Sequence, residues 1–266
     1  MSKLALLIGI NYEGQKKKLN GCVNDVNHLK NMLRSKMAYK EKNIILMTDD
    51  IEKDDENYPT ARNIILALRR IIIAAHQKKT KEIWIHFSGH SVSIPDKNGD
   101  EKDGRDEAIV PVDYKESGVI SDDVLHKYMS YIPNETNCVC FFDSCHSGTI
   151  LDLKYMHAPH NFNRIENKDS NIKGKIMMFS GCRDDEKSVG FLENGKNWVG
   201  AMTRSLLNTL EQHKHEISCC ELLDGMHKYM VKNGFSQRPQ LSTSFPLQKY
   251  SIFCKQHGEK PFIRAR

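Results

Sequence analysis

Lys81-Glu82-Ile83-Trp84-Ile85 runs directly into His86-Phe87-Ser88-Gly89-His90, and Cys138-Val139-Cys140-Phe141-Phe142 runs directly into Asp143-Ser144-Cys145-His146-Ser147-Gly148. In each case an apolar run of strand length ends in a short polar, reactive set. One set closes on a histidine and the other holds a cysteine. A thiol is mostly protonated at neutral pH, so as a nucleophile it needs a neighbouring base. His90 and Cys145 lie far apart in sequence and meet only if their strands are neighbours in one sheet.

The rest of the chain supports such a sheet. Further strand-length apolar runs occur at Leu4–Ile10, Asn43–Met47 and Lys175–Ser180. Helical spacing links Val23, Val26, Leu29, Met32 and Leu33, and also Ile64, Ile65, Leu68, Ile71 and Ile72 after a cap at Thr60. A third helix is expected from Ser121-Asp122-Asp123, with Val124, Leu125 and Met129 as its apolar face. Two more are expected at Ala201–Glu211 and Cys219–Lys232. Strands alternating with helices predict an α/β fold with a mostly parallel central sheet and helices on both faces. Reactive groups in such folds sit beyond the carboxyl ends of the strands, where both opening motifs fall. Ser91–Asp106 and Lys154–Gly174 read as loops, and His257–Arg266 as a loose basic tail.

Composition narrows the function. The 266 residues carry a net charge of +5, with lysines spread among acids, so a nucleic-acid surface is not expected. No apolar run approaches the roughly 18 residues of a membrane span. Leu4–Ile10 lacks a signal-cleavage site and reads as a buried strand. The eight cysteines include Cys138 and Cys140 alternating on one run and the adjacent Cys219 and Cys220. With no signal peptide, this predicts reduced thiols and a cytoplasmic location. No Cys-x-x-Cys pair is present to complete a zinc site, so structural zinc is not expected. His86 is expected to be structural because it points to the opposite face from Phe87. His146 is too close to Cys145 in the chain to face it productively.

Several motifs in collinear order resemble the metacaspases, a family of caspase-like cysteine peptidases. They are Leu19-Asn20-Gly21-Cys22-Val23-Asn24-Asp25, His86–His90, Asp106-Glu107-Ala108-Ile109-Val110-Pro111-Val112-Asp113, Ile120–Asp123, Asp143–Gly148, Phe179-Ser180-Gly181-Cys182 and Gln240-Leu241-Ser242. The resemblance covers roughly Lys3 to Phe253. It implies a single caspase-like domain over 1–266, with a large-subunit-like region 1–153, a short joint 154–174 and a small-subunit-like region 175–256. It looks most like a compact type I form without a prodomain, and it implies a monomer.

The resemblance also implies roles. His90 is the general base and Cys145 the nucleophile of an endopeptidase cutting protein or peptide substrates after arginine or lysine. Asp25, Ser88 and Asp143 line the pocket for that basic side chain, where a carboxylate pair suits a guanidinium. Gly89, Ser91 and Cys145 supply backbone donors to the oxyanion. Asp106, Asp122, Asp123 and Asp152 match a calcium site, and carboxylate oxygens suit that cation. Lys154, Arg164, Lys168 and Lys173 are candidate self-cleavage points in the joint. Asp96–Glu107 imitates an EF-hand loop but has Glu101 where glycine is required, and a β-rich stretch follows it instead of a helix.

One departure stands out. The family usually has glycine after the catalytic histidine, and here it is Ser91. If that position needs a left-handed backbone, serine is strained there and the oxyanion geometry shifts. Two other readings follow: a catalytically silent caspase-like binding module, and a different α/β cysteine hydrolase with His86 or His146 as base.

Overall fold

A computed structural model of the chain describes residues 2–96, 104–144, 149–158, 161–181, 190–193, 197–214, 216–247 and 252–254. The first half runs β1 (Lys3–Gly9), α1 (Cys22–Met37), β2 (Ile44–Thr48), α2 (Ala61–Gln77), β3 (Glu82–Ser88), β4 (Ser91–Pro95), β5 (Arg105–Ile109), α3 (Tyr114–Ser117), β6 (Ile120–Ser121), α4 (Asp122–Met129) and β7 (Asn137–Asp143). The second half runs β8 (Tyr155–Ala158), β9 (Asn161–Ile165), β10 (Lys175–Ser180), β11 (Gly190–Glu193), β12 (Asn197–Gly200), α5 (Ala201–Gln212), β13 (Ile217–Ser218), α6 (Cys219–Lys232), β14 (Gln240–Thr243) and β15 (Ile252–Cys254).

Eight strands form the central sheet in the order β2-β1-β3-β7-β10-β14-β8-β9. The first five are parallel to one another. From β10 onward each neighbour is antiparallel. Strand alternation assigns every side chain to a face. Leu4, Leu6 and Ile8 of β1, Ile83, Ile85 and Phe87 of β3, and Cys138, Cys140 and Phe142 of β7 share one core with Ile64, Leu68 and Ile71 of α2 and Leu125 and Met129 of α4. Ala5, Leu7, Trp84, Val139 and Phe141 face the other way and share a second core with Val26, Leu29 and Leu33 of α1, Met202 and Leu206 of α5, and Leu222 and Met226 of α6. Because both faces are covered, the central strands are apolar at nearly every position. Each fully buried large side chain contributes about 1.5–3 kcal/mol.

The alternation also fixes the site. His86, Ser88 and Asp143 continue the even positions of β3 and the odd positions of β7, so they fall on the α1/α5 face. Local signals agree with the elements formed. Thr60 caps α2, its hydroxyl accepting from the Asn63 amide at 3.1 Å, an arrangement worth about 0.5–2 kcal/mol.

Three expectations need correction. Val124 is exposed, and Leu125 and Met129 are the buried apolar residues of α4. Within 91–106, β4 and the start of β5 pair as a hairpin, Ser91 opposite Ile109 and Pro95 opposite Arg105. Within 154–174, β8 and β9 form a second hairpin that extends the central sheet beyond β14. Among the described residues of this stretch, Lys154 and 166–174 are irregular chain. Arg164 therefore lies in a paired strand, opposite Met156, and its guanidinium is held by Glu166. Lys168 and Lys173 remain exposed in irregular chain.

Candidate active site

β3 and β7 are adjacent parallel strands, and Ser88 is in register with Asp143. His90 follows Ser88 by two residues, so it lies just beyond the end of β3 beside the end of β7, the strand that precedes Cys145 in the sequence. Cys145, His146, Ser147 and Gly148 lie outside the described residues. The segments that flank them are firmly seated: Ser144 is 0% exposed, and Ile150 and Leu151 are buried in the α2/α4 core.

His90 is half-buried. Its Nε2 lies 2.7 Å from the carbonyl oxygen of Lys17. A carbonyl only accepts, so Nε2 carries the proton and Nδ1 is the acceptor nitrogen of the neutral ring. Burial lowers the imidazole pKa below its ordinary value, which favours that neutral form. The arrangement is that of a base ready to receive a proton.

His86 cannot share this role. It is 0% exposed and stacks on Phe141 with ring centroids 5.4 Å apart. Its Nε2 lies 3.3 Å from Thr203 Oγ1. The Thr203 hydroxyl spends its hydrogen on Asp143 Oδ2 at 2.8 Å, so the His86 ring donates through Nε2. Burial pushes its pKa down to about 3. It is a neutral ring in the core, as its place on β3 predicts.

The three residues expected to line the pocket come together. Asp25, in the first turn of α1, turns away from its own helix and accepts from Ser88 Oγ through Oδ2 and from the Gly200 amide through Oδ1, both at 2.8 Å. Asp143 Oδ2 accepts from the amide and hydroxyl of Thr203, both at 2.8 Å. Both carboxylates converge on the start of α5. A Cβ at Gly200 would lie 2.4 Å from Asp143 Oδ2 and 2.6 Å from Asp25 Oδ2, so only glycine fits between them. Asp25 and Asp143 are 1% and 2% exposed. Burial first, and then the Asp143 charge, hold the Asp25 carboxyl well above its ordinary pKa. Two buried acids at this spacing strongly favour a cationic group beside them.

A second acidic group lies at β5 and α4. Asp106, Asp122 and Asp123 each offer a carboxylate oxygen within 4.8 Å of the others. Asp122 accepts from the Glu107 amide at 2.5 Å and from the Asp123 amide at 2.7 Å. Burial, reinforced by the charges of Asp106 and Asp123, moves the Asp122 carboxyl up to about 7. Hard oxygen donors whose charges oppose one another suit a divalent cation. Asp152 is not part of this group. It sits beyond the cysteine motif with φ 47° and donates its amide to the Thr149 carbonyl at 2.6 Å. Glu107, the last residue of the EF-hand-like stretch, lies in a strand and accepts from Thr149 Oγ1 at 2.5 Å.

Around the expected oxyanion donors, the Gly89 amide points at the Asp143 carbonyl at 3.4 Å, so it helps close the strand ends. Gly89 is required by close approach and not by a left-handed backbone. A Cβ there would lie 2.8 Å from Phe87 Cζ and 3.0 Å from Tyr12 Oη. Ser91 is buried at the start of β4 and is absent from the positive-φ positions, so serine there carries no left-handed strain.

Three contributors escaped the sequence reading: the Lys17 carbonyl, the α5 start at Gly200 and Thr203, and Tyr12. Gly200-Ala201-Met202-Thr203 held a faint signal, a glycine leading a helix whose third residue bears a hydroxyl.

A family model described as metacaspase, peptidase C14 domain, matches residues 3–154. Metacaspase-1B of Aspergillus oryzae is 31% identical over 94% of this chain and 69% of its own length. Metacaspase-2 of Arabidopsis thaliana is 33% identical over 87% of this chain, which spans 58% of that relative. Among solved structures, protein GSU0716 from Geobacter sulfurreducens superposes with a TM-score of 0.63 at 22% identity, covering 93% of this chain and 95% of that one. Caspase-1 from Spodoptera frugiperda gives 0.60 at 10% identity, covering 97% and 92%. These two likenesses bear on the fold alone, which is caspase-like.

Proposed function

The chain belongs to the metacaspase family, and from that membership and the site geometry we propose that it is a cysteine endopeptidase that cuts after arginine or lysine and is activated by calcium. The observation that carries the reading is the registered strand end, where Ser88 meets Asp143 and His90 presents a neutral ring with its Nε2 proton committed to Lys17. In the reaction Cys145 Sγ attacks the scissile carbonyl carbon while its proton passes to His90 Nδ1. The C–N bond then breaks, the amine leaves with the proton from His90, and an acyl-enzyme remains. Water attacks the thioester carbon, His90 takes the proton of that water and returns it to the sulfur, and the carboxylic acid product leaves.

The Asp25–Asp143 pair supports the preference for a basic side chain. Burial and the Asp143 charge both raise the Asp25 carboxyl pKa, and a guanidinium or ammonium group beside the pair relieves that repulsion. Asp106, Asp122 and Asp123 are the described residues that would hold calcium, with Asp152 as the fourth carboxylate suggested by the family. The cation would supply charge neutralisation that lets β5 and the α4 start pack without mutual repulsion. Self-cleavage is proposed at Lys168 or Lys173, the exposed basic residues in irregular chain. Cys22, Cys138, Cys140 and Cys219 are buried thiols without a disulfide, which supports a reducing, cytoplasmic setting. No helix among the described residues is long and apolar enough to cross a membrane.

Two predictions arise here. The lowered pKa of His90 keeps the base neutral in moderate acid, so the acid limb of kcat/KM falls below the ordinary imidazole value of about 6.5. A pH–rate profile checks this. Calcium titrated calorimetrically into protein carrying Asp122→Asn binds at least ~10-fold more weakly than into the parent, since removing one of three converging charges costs more than about 1.4 kcal/mol. Near pH 6 binding to the parent releases protons, because Asp122 is protonated below about 7.

The test of the proposal as a whole is covalent labelling by an arginyl chloromethyl ketone, with and without calcium, mapped by mass spectrometry. The proposal predicts an adduct on Cys145 that forms faster with calcium. No adduct under either condition favours the silent binding module.

A further inference from the structure

Tyr12 is a buried tyrosine with a left-handed backbone, φ 58° and 1% exposed. Non-glycine residues avoid that region, so the surrounding chain must impose it. The clamp is visible. One carboxylate, Asp49, accepts the amides on both sides of Tyr12, from Asn11 at 2.8 Å and from Glu13 at 3.1 Å. The Tyr12 carbonyl accepts from the Gln15 amide at 3.0 Å, and the Gln15 side chain reaches the Val112 carbonyl at 2.8 Å.

The strained backbone delivers the side chain to His90. Tyr12 Oη donates its only hydrogen to the Val110 carbonyl at 2.6 Å and accepts from the His90 amide at 2.9 Å. The Val110 amide in turn donates to the His90 carbonyl at 3.0 Å. The phenol ring lies against the imidazole, with centroids 4.7 Å apart and planes tilted by 38°. Five residues further along the same loop, Lys17 supplies the carbonyl that holds His90 Nε2. The β1–α1 loop therefore grips His90 at its backbone amide, at its ring face and at one ring nitrogen.

We propose that Tyr12 is a positioning residue for the general base: its hydroxyl fixes the His90 main chain and its ring fixes the imidazole, so that Nδ1 is held where the thiol proton must arrive. This rests on His90 being the base. Tyr12 also fills part of the α2/α4 core, so a purely structural role is the competing account, and the two differ in what they predict.

Tyr12→Phe keeps the ring and the core volume and removes only the hydroxyl. Positioning predicts that kcat for an arginyl peptide falls about 10- to 100-fold, the cost of small misplacement of a reacting group, while KM stays within about threefold. Tyr12→Leu also removes the ring cover, and the acid limb of the pH–rate profile moves up toward the ordinary imidazole value. A structural role alone lowers the melting temperature and leaves kcat of folded enzyme, the KM and the acid limb unchanged, and that result overturns the proposal. Should either variant fail to fold, Asp49→Asn loosens the clamp without touching His90 and is expected to lower kcat with KM retained. Parent kcat in Asp49→Asn then counts against positioning. A parent protein that cleaves nothing refutes the peptidase reading, whereas a parent that cleaves and a Tyr12→Phe variant equal to it refute only the role of Tyr12.

Discussion

Cys145→Ala is expected to abolish hydrolysis of arginyl peptides, lowering kcat by ~10^4-fold or more, because covalent catalysis has no substitute once the nucleophile is gone. The fold should survive the change. The flanking residues are seated independently: Ser144 is fully buried just past the end of β7, and Ile150 and Leu151 are in the core. Calcium binding at Asp106, Asp122 and Asp123 is likewise expected to be unchanged. Binding of an arginyl substrate should persist, since Asp25 and Asp143 are untouched. His90→Ala should approach the same loss. His86→Phe should not, because the His86 ring is buried against Phe141 with its pKa pushed down to about 3.

The second large effect concerns the acid pair. Asp25→Asn and Asp143→Asn should each weaken kcat/KM for arginyl substrates by about 2–5 kcal/mol, or roughly 30- to 5,000-fold, the cost of truncating one partner of a buried charge pair. Stability should move the other way. Asn keeps an oxygen for the Gly200 or Thr203 amide, so the start of α5 remains capped. The folded-state pKa of Asp25 is raised, so the folded protein binds this proton more tightly than the unfolded chain does. Stability therefore falls as pH rises through the carboxylate range, and removing one charge relieves the loss. The expected signature at neutral pH is a melting temperature at or above the parent's together with a severe loss in kcat/KM. A variant that loses both equally indicates that the acids serve the fold only.

What was legible in the sequence follows from burial. β1, β3, β7 and β10 are covered on both faces, so they appear as unbroken apolar runs, and their bounds differ from expectation by at most a residue or two. The β8–β9 hairpin was missed because it lies at the edge of the sheet. Tyr155-Met156-His157 and Asn161-Phe162-Asn163-Arg164-Ile165 alternate polar and apolar residues too weakly to separate from a loop. β4 was hidden by its short, polar Ser91-Val92-Ser93. Within the site, the side chains that carry charge were readable by type and by motif. The groups that hold them were not. Lys17 acts through a carbonyl, Gly200 through the absence of a Cβ, and Tyr12 through a left-handed backbone set by distant Asp49. None of these leaves a pattern in residue type. Gly89 likewise acts through a missing side chain, since contact with Phe87 and Tyr12 excludes one there.

The central claim is tested most directly by hydrolysis of a matched set of fluorogenic peptides, bearing arginine, lysine, aspartate or leucine before the scissile bond, by the purified chain across a calcium titration. The account predicts cleavage of the arginyl and lysyl peptides alone, rising with calcium and absent from Cys145→Ala. Cleavage after aspartate or leucine, or full activity in the presence of a chelator, would contradict it.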